Sequence, residues 1–299
     1  MLAAMTPTPR ALGDRVWGRK AALLPDRGVL LVCTDLQGNL GDYEAMKALY
    51  FGELREGNAP VLAFCGDMVH GPSADLHEPG AWPPHLGTEY RDESRALILD
   101  FEAFTREHNA FSVLGNHEHA HIGGVRVPKF HPDEAAVLDA ALGEHRAHIH
   151  DFFRAWPLLA VAPCGVVLTH GAPRRTERSL EDFEALRYEG YSRDSLHSMY
   201  NRDTVGALLW ARAATAAQAR ALLQATSLDG RPNAFVAYGH DVVAEGYVRM
   251  GDEQICVSTS FALVNKEKTY LRLDLARRYD SALDLREGTE ILRLYPSER

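Results

Sequence analysis

The chain has 299 residues, 46% of them hydrophobic, and a formal net charge of -9 at pH 7. That is enough apolar material for a large core, as one big domain or two modest ones. The acidic balance excludes a chain-wide surface for nucleic acid or for an anionic membrane, and no run of about 18 apolar residues offers a membrane span.

The four cysteines, Cys33, Cys65, Cys164 and Cys256, lie in or beside apolar runs and show no CxxC spacing. They read as reduced core residues of a cytoplasmic protein, not as disulfides or a zinc site. Residues 1–27 carry scattered Arg and Pro and no long apolar stretch, so a secretion signal is not expected.

In chain order, residues 1–27 read as an extension that leans on the domain. A strand is predicted at 28–34. Tyr43, Met46, Leu49 and Tyr50 then recur at helical spacing, which gives a helix over 40–55. Strand 60–65 leads into a proline- and glycine-rich stretch, 70–88, expected to be an ordered loop over the site. A helix over 89–107 and a strand at 110–114 follow. Residues 119–132 read as a polar loop. Helices are predicted at 132–142 and 144–156, then strands at 158–162 and 165–169. Residues 172–206 are irregular, charged and helical in parts. A single helix is expected over 205–223. The remainder reads as strands at 234–238, 242–250, 254–258 and 269–274, with a last one near 290–294. Strand and helix alternate first, and strands dominate later. That pattern predicts an α/β fold of two mixed sheets packed face to face with helices outside, a single domain over 28–299.

Five of these strands run into a metal-capable side chain. Asp35-Leu36-Gln37-Gly38, Gly66-Asp67-Met68-Val69-His70-Gly71, Gly115-Asn116-His117-Glu118, His170-Gly171 and Gly239-His240-Asp241 each sit at a strand's end. Strand ends in α/β sheets are where loops converge on a ligand crevice. Asp, Asn and neutral His together suit borderline or hard divalent metals such as Mn, Fe, Ni or Zn. A carboxylate such as Asp67 can bridge two metals about 3.5–4 Å apart, an arrangement that activates water and clamps a phosphoryl group. Asp67, Asn116, His170 and His240 are expected to converge.

In these motifs, and in their order, the chain resembles the calcineurin-like metallophosphoesterase superfamily, and within it the phosphoprotein phosphatase branch. Further matches are Leu208-Leu209-Trp210 and His240-Asp241-Val242-Val243-Ala244-Glu245-Gly246-Tyr247. The resemblance spans about residues 28–275. It implies a four-layer αββα sandwich and two divalent metals, Mn foremost. One metal would take Asp35, Gln37 and a bridging Asp67, the other Asp67, Asn116, His170 and His240. His117 would be the general acid that protonates the leaving oxygen of a phosphorylated protein or small molecule.

The departures are specific. Gln37 replaces the family's first-motif histidine, and an amide oxygen is the weaker donor, so the first metal is expected to bind weakly or not at all. Gln37 reads equally well as a hydrogen bonder behind the metal. His70 stands where the family has the aspartate that orients the acid, and the arginine after it is missing. His70 would orient His117, approach the metal, or fill the loop. Arg174, Arg175, Arg202 and Arg212 are candidates for the phosphate cation, while His119 and His121 read as loop residues. The leading reading is a phosphomonoesterase, with a phosphoserine/phosphothreonine phosphatase as its narrower form. The others are a phosphodiesterase or nucleotide pyrophosphohydrolase, and a weakly active binding module.

Overall fold

The computed structural model describes residues 10–296. Residues 1–9 of the expected extension lie outside the described residues.

The central five-stranded sheet is built on β2 (Val29–Cys33), β3 (Pro60–Phe64) and β4 (Ala110–Ser112), all parallel. β10 (Thr269–Asp274) adds antiparallel to β2, and β11 (Ile291–Arg293) closes that edge. A second sheet has six strands. β5 (Leu159–Ala162) and β6 (Val166–Thr169) form a hairpin, β7 (Phe235–Tyr238) pairs parallel to β6, and β9 (Gln254–Val257) pairs parallel to β7. The edges are β8 (Tyr247–Arg249) and β1 (Ala21–Leu23), so residues 21–23 enter the sheet as a strand beside β5.

Strand alternation explains the layers. Side chains on successive residues point to opposite faces. Leu30 and Val32, Val61 and Ala63, Val166 and Leu168, and Phe235 and Ala237 share one buried cluster between the sheets. Their neighbours Leu31, Leu62, Phe64, Val167 and Val236 belong to a second cluster shared with helices. Both faces are covered, which is why these strands read as continuous apolar runs.

Helix α1 (Leu40–Arg55) is capped by Asn39, whose side chain accepts from the Asp42 amide, and Tyr43 packs edge-on against Phe101 of α2 (Ser94–Glu107). These two helices cover the five-stranded sheet, while α6 (Leu180–Glu184) and α9 (Ala216–Ala225) pack on β1 and β7 of the other. The result is the two-sheet α/β sandwich read from the sequence.

Three local expectations change. Residues 119–132 are not all loop: helix α3 (Asn116–Ile122) starts directly after Gly115, and all seven of its residues are buried. Five of the seven side chains are polar, so the helix shows no apolar stripe to read. His119 and His121 are thus buried helix residues, not loop residues. The single helix expected over 205–223 is two, α8 (Thr204–Trp210) and α9. Asp203 caps the first and Thr215 the second, and the break is pinned by Ala172 N–H donating to the Ala211 carbonyl at 2.7 Å. The long strand expected at 242–250 shrinks to Tyr247–Arg249 because the preceding residues form a loop of the site.

Candidate metal centre

The loops after β2, β3, β4, β6 and β7 meet at one edge of the sandwich. Their backbones are bent to do so. Asp35, Gln37, Asp67, His70 and His240 have φ of +51°, +47°, +54°, +72° and +65°. Non-glycine residues persist in that left-handed region only where surroundings over-determine them, and they cluster at functional sites. Gly66 makes the close approach possible: a Cβ there would lie 2.6 Å from Gly115 Cα and 2.9 Å from His170 Nδ1. The buried Glu118 carboxylate then ties the β3 and β4 loops together. It accepts from the amides of Asp67 at 3.0 Å, Met68 at 2.8 Å and Gly115 at 3.2 Å.

The proton count around His170 decides what this cluster can hold. Its Nδ1 lies 2.7 Å from the Cys65 carbonyl, an acceptor only, so Nδ1 carries the hydrogen. In the neutral ring Nε2 is then a lone pair aimed inward. Facing it are Asn116 Oδ1 at 2.9 Å, His240 Nδ1 at 3.0 Å and Asp67 Oδ1 at 3.4 Å. Two imidazole nitrogens and two oxygens thus converge from four loops, with burial holding His240 well below its ordinary pKa and so neutral. A carbonyl acceptor behind a ligating histidine fixes its tautomer in just this sense. The set fits a divalent metal of the kind that takes N and O ligands. Burial alone would raise the pKa of Asp67; the charge of His117 and the His117 backbone N–H, which Asp67 accepts at 3.1 Å, are among what holds the carboxyl below its ordinary value instead.

Asp35, Gln37 and Asp67 do not present such a set. Gln37 Nε2 donates to Asp67 Oδ2 at 3.2 Å, and Gln37 Oε1 accepts from Lys129 Nζ at 2.9 Å. The amide cannot be turned over, since that would set oxygen against carboxylate and N–H against ammonium. Asp35 accepts the His240 amide with both oxygens, at 3.0 and 3.2 Å. Burial, with Asp67 nearby, raises its pKa to about 6.

Behind the centre runs a chain of imidazoles. His117 Nδ1 lies 2.8 Å from His70 Nδ1, His70 Nε2 lies 2.9 Å from His121 Nε2, and His121 Nδ1 lies 2.7 Å from Asp139 Oδ1. His150 Nε2 reaches the same oxygen at 2.7 Å. Asp139 is on α4 (Glu134–Leu142) and His150 on α5 (Arg146–Arg154). Glu134 brings a buried carboxylate 3.2 Å from His117 Nδ1. Burial lowers the pKa of His117, but Asp67 and Glu134 overcome it, so the net shift is upward. Burial also depresses His70, to about 3, so it is neutral and can accept.

Of the sequence candidates, Asp35, Gln37, Asp67, Asn116, His117 and His240 line one cavity of about 280 Å³, while His170 and His70 stand behind it. Arg212 also lines it, placed by the α8–α9 break, and donates to the His240 carbonyl and Asp241, each at 2.8 Å. Arg174 donates to Asn201 and Arg175 to the Arg202 carbonyl, while Arg202 pairs with Asp194; none of the three lines the cavity. Sequence reasoning missed Lys129, Glu134, Asp139 and His150. None stands at a strand end, so no local signal marked them.

Residues 28–271 match the family Metallophos, calcineurin-like phosphoesterase. The chain belongs to that family. Among solved structures, a protein serine/threonine phosphatase from Saccharomyces cerevisiae is 14% identical, covering 87% of this chain and 77% of its own, with a TM-score of 0.51. A cold-active protein-tyrosine phosphatase from a psychrophilic Shewanella is 15% identical, covering 86% and 78%, with a TM-score of 0.53. At that identity the likeness carries the fold and not the substrate. No curated protein sequence matches. The phosphoesterase is therefore a hydrolase of phosphoric esters, and its family uses divalent metals. The four cysteines are free and buried, and among the described residues no helix is long and apolar enough to cross a membrane.

Proposed function

We propose that this phosphoesterase hydrolyses phosphate monoesters, using a divalent metal held by Asp67, Asn116, His170 and His240. The convergence of nitrogen and oxygen ligand atoms on Nε2 of His170 carries the reading, because one divalent cation would satisfy all four at once. When bound, such a metal polarises a phosphoryl oxygen and makes water a better nucleophile. Manganese is the first ion to try.

The chain's own residues supply the rest. His117, whose pKa Asp67 and Glu134 hold up against burial, turns Nδ1 to His70 and Glu134 and, as the imidazolium, would have Nε2–H to give to a leaving oxygen. That supports a role for Glu134 as the positioning carboxylate, with His70 alongside. Lys129 and Arg212 bring two cations to the cavity, which suits a phosphomonoester dianion better than a singly charged diester. The cavity admits a phosphoryl group and the first atoms of its ester. A bulky leaving group, such as a protein segment, stays outside.

The test compares para-nitrophenyl phosphate with its bis-ester on manganese-loaded protein. We expect turnover of the monoester to exceed that of the bis-ester by at least about tenfold, a difference of about 1.4 kcal/mol in transition-state binding. Preference for the bis-ester would overturn the monoesterase reading. No turnover of either, with any divalent ion, would leave a binding module.

A further inference from the structure

We infer that the centre holds one divalent metal and that the ammonium of Lys129 takes the second cationic position, binding a phosphoryl oxygen of the monoester. The inference rests on the phosphomonoesterase reading and deepens it.

Three observations carry it. Gln37 turns an N–H, not a lone pair, toward Asp67 Oδ2, so this end of the cavity offers a cation two side chains, Asp35 and Asp67, against four at the His170 end. Its remaining acceptor is occupied by Lys129 Nζ at 2.9 Å. A divalent ion there would sit beside an ammonium on a shared ligand, and like charges at such range repel strongly away from bulk water.

Lys129 is also built into its position. Its Nζ lies 3.5 Å from the centroid of the Phe261 ring, a cation–π contact. The next residue is anchored too: Phe130 N–H donates to Glu134 Oε1 at 2.7 Å. The other oxygen of that carboxylate faces His117. One side chain thus sets both the acid and the loop that carries Lys129. Lys129 lines the cavity with Asp35, Gln37 and Asp67, and its Nζ reaches Gln37 from an otherwise exposed residue. An ammonium has three donors and gives one to Gln37 Oε1. Two remain for oxygens of a bound phosphate.

Metal counting on manganese-loaded, gel-filtered protein is the first readout. We expect one ion per chain in the wild type, and two in the double variant Gln37→His, Lys129→Ala, which restores a lone pair and removes the competing charge. The second readout is calorimetric binding of inorganic phosphate to the loaded protein. Lys129→Ala should weaken it by about 10–100-fold, the range for a hydrogen bond to a charged group, and Lys129→Arg should retain most of it. Lys129→Met, which keeps the stem over Phe261, provides a second neutral variant should the alanine variant misfold. Two ions per wild-type chain, or unchanged phosphate affinity in both neutral variants, would overturn the inference and leave the proposed function standing. A wild type that binds no divalent ion would sink both.

Discussion

Two buried clusters of imidazole and carboxylate lie side by side in this molecule, and they differ in where their protons are. Asp67, His170 and His240 form one, and His117, His70, His121, Glu134 and Asp139 the other. By proximity alone each contains a group able to hold a metal, as does the trio His121, Asp139 and His150. In the first cluster the His170 hydrogen is spent on the Cys65 carbonyl, so its Nε2 lone pair faces Asn116 Oδ1, His240 Nδ1 and Asp67 Oδ1. In the second, one hydrogen fits between each neighbouring pair. His117 donates to His70, His70 to His121, and His121 to Asp139. The chain is satisfied without a cation. Closeness of ligand-type atoms does not by itself make a metal site; the balance of acceptors against protons is what separates the two clusters.

The largest effect should come from breaking the first cluster. His170→Ala is expected to weaken metal binding by more than the ~100-fold that outer partners of a ligand are worth. Asp139→Asn should leave metal content unchanged. Equal losses in both variants, read by metal titration, would erase the distinction between the clusters.

A smaller effect separates ligation from proton transfer. His117→Asn should lower kcat by about 10²–10⁴-fold with the metal retained, since it removes a general acid and no ligand. Loss of metal along with rate would place His117 in the wrong cluster.

The smallest is a shift in a pH profile. Asp67 and, after it, Glu134 hold the His117 pKa up, so the imidazolium is lost only as pH rises through that raised value. Glu134→Gln removes the carboxylate charge, and the alkaline limb of kcat should move to lower pH by on the order of one unit, equivalent to about 1.4 kcal/mol. An alkaline limb that stays in place would mean that His70 alone positions the acid.

The sequence by itself determined the strand–helix alternation, the two sheets, and the five strand ends that carry Asp35, Asp67, Asn116, His170 and His240. Apolar runs with glycine exits are local signals, and each strand end brought its own. The expectation that Gln37 is the weaker donor of its motif likewise came from the residue's chemistry alone. Only the tertiary structure decided that Glu134 stands beside His117, that Lys129 fills the acceptor of Gln37, and that the break between α8 and α9 aims Arg212 at the cavity. Those contacts join residues from segments with no periodicity or motif of their own. Hydrogen-bond partners across such distances are chosen by the packing of helices on sheets, and a linear pattern carries no record of that choice. The same holds for α3, whose five polar side chains among seven read as loop until the surrounding layers bury them.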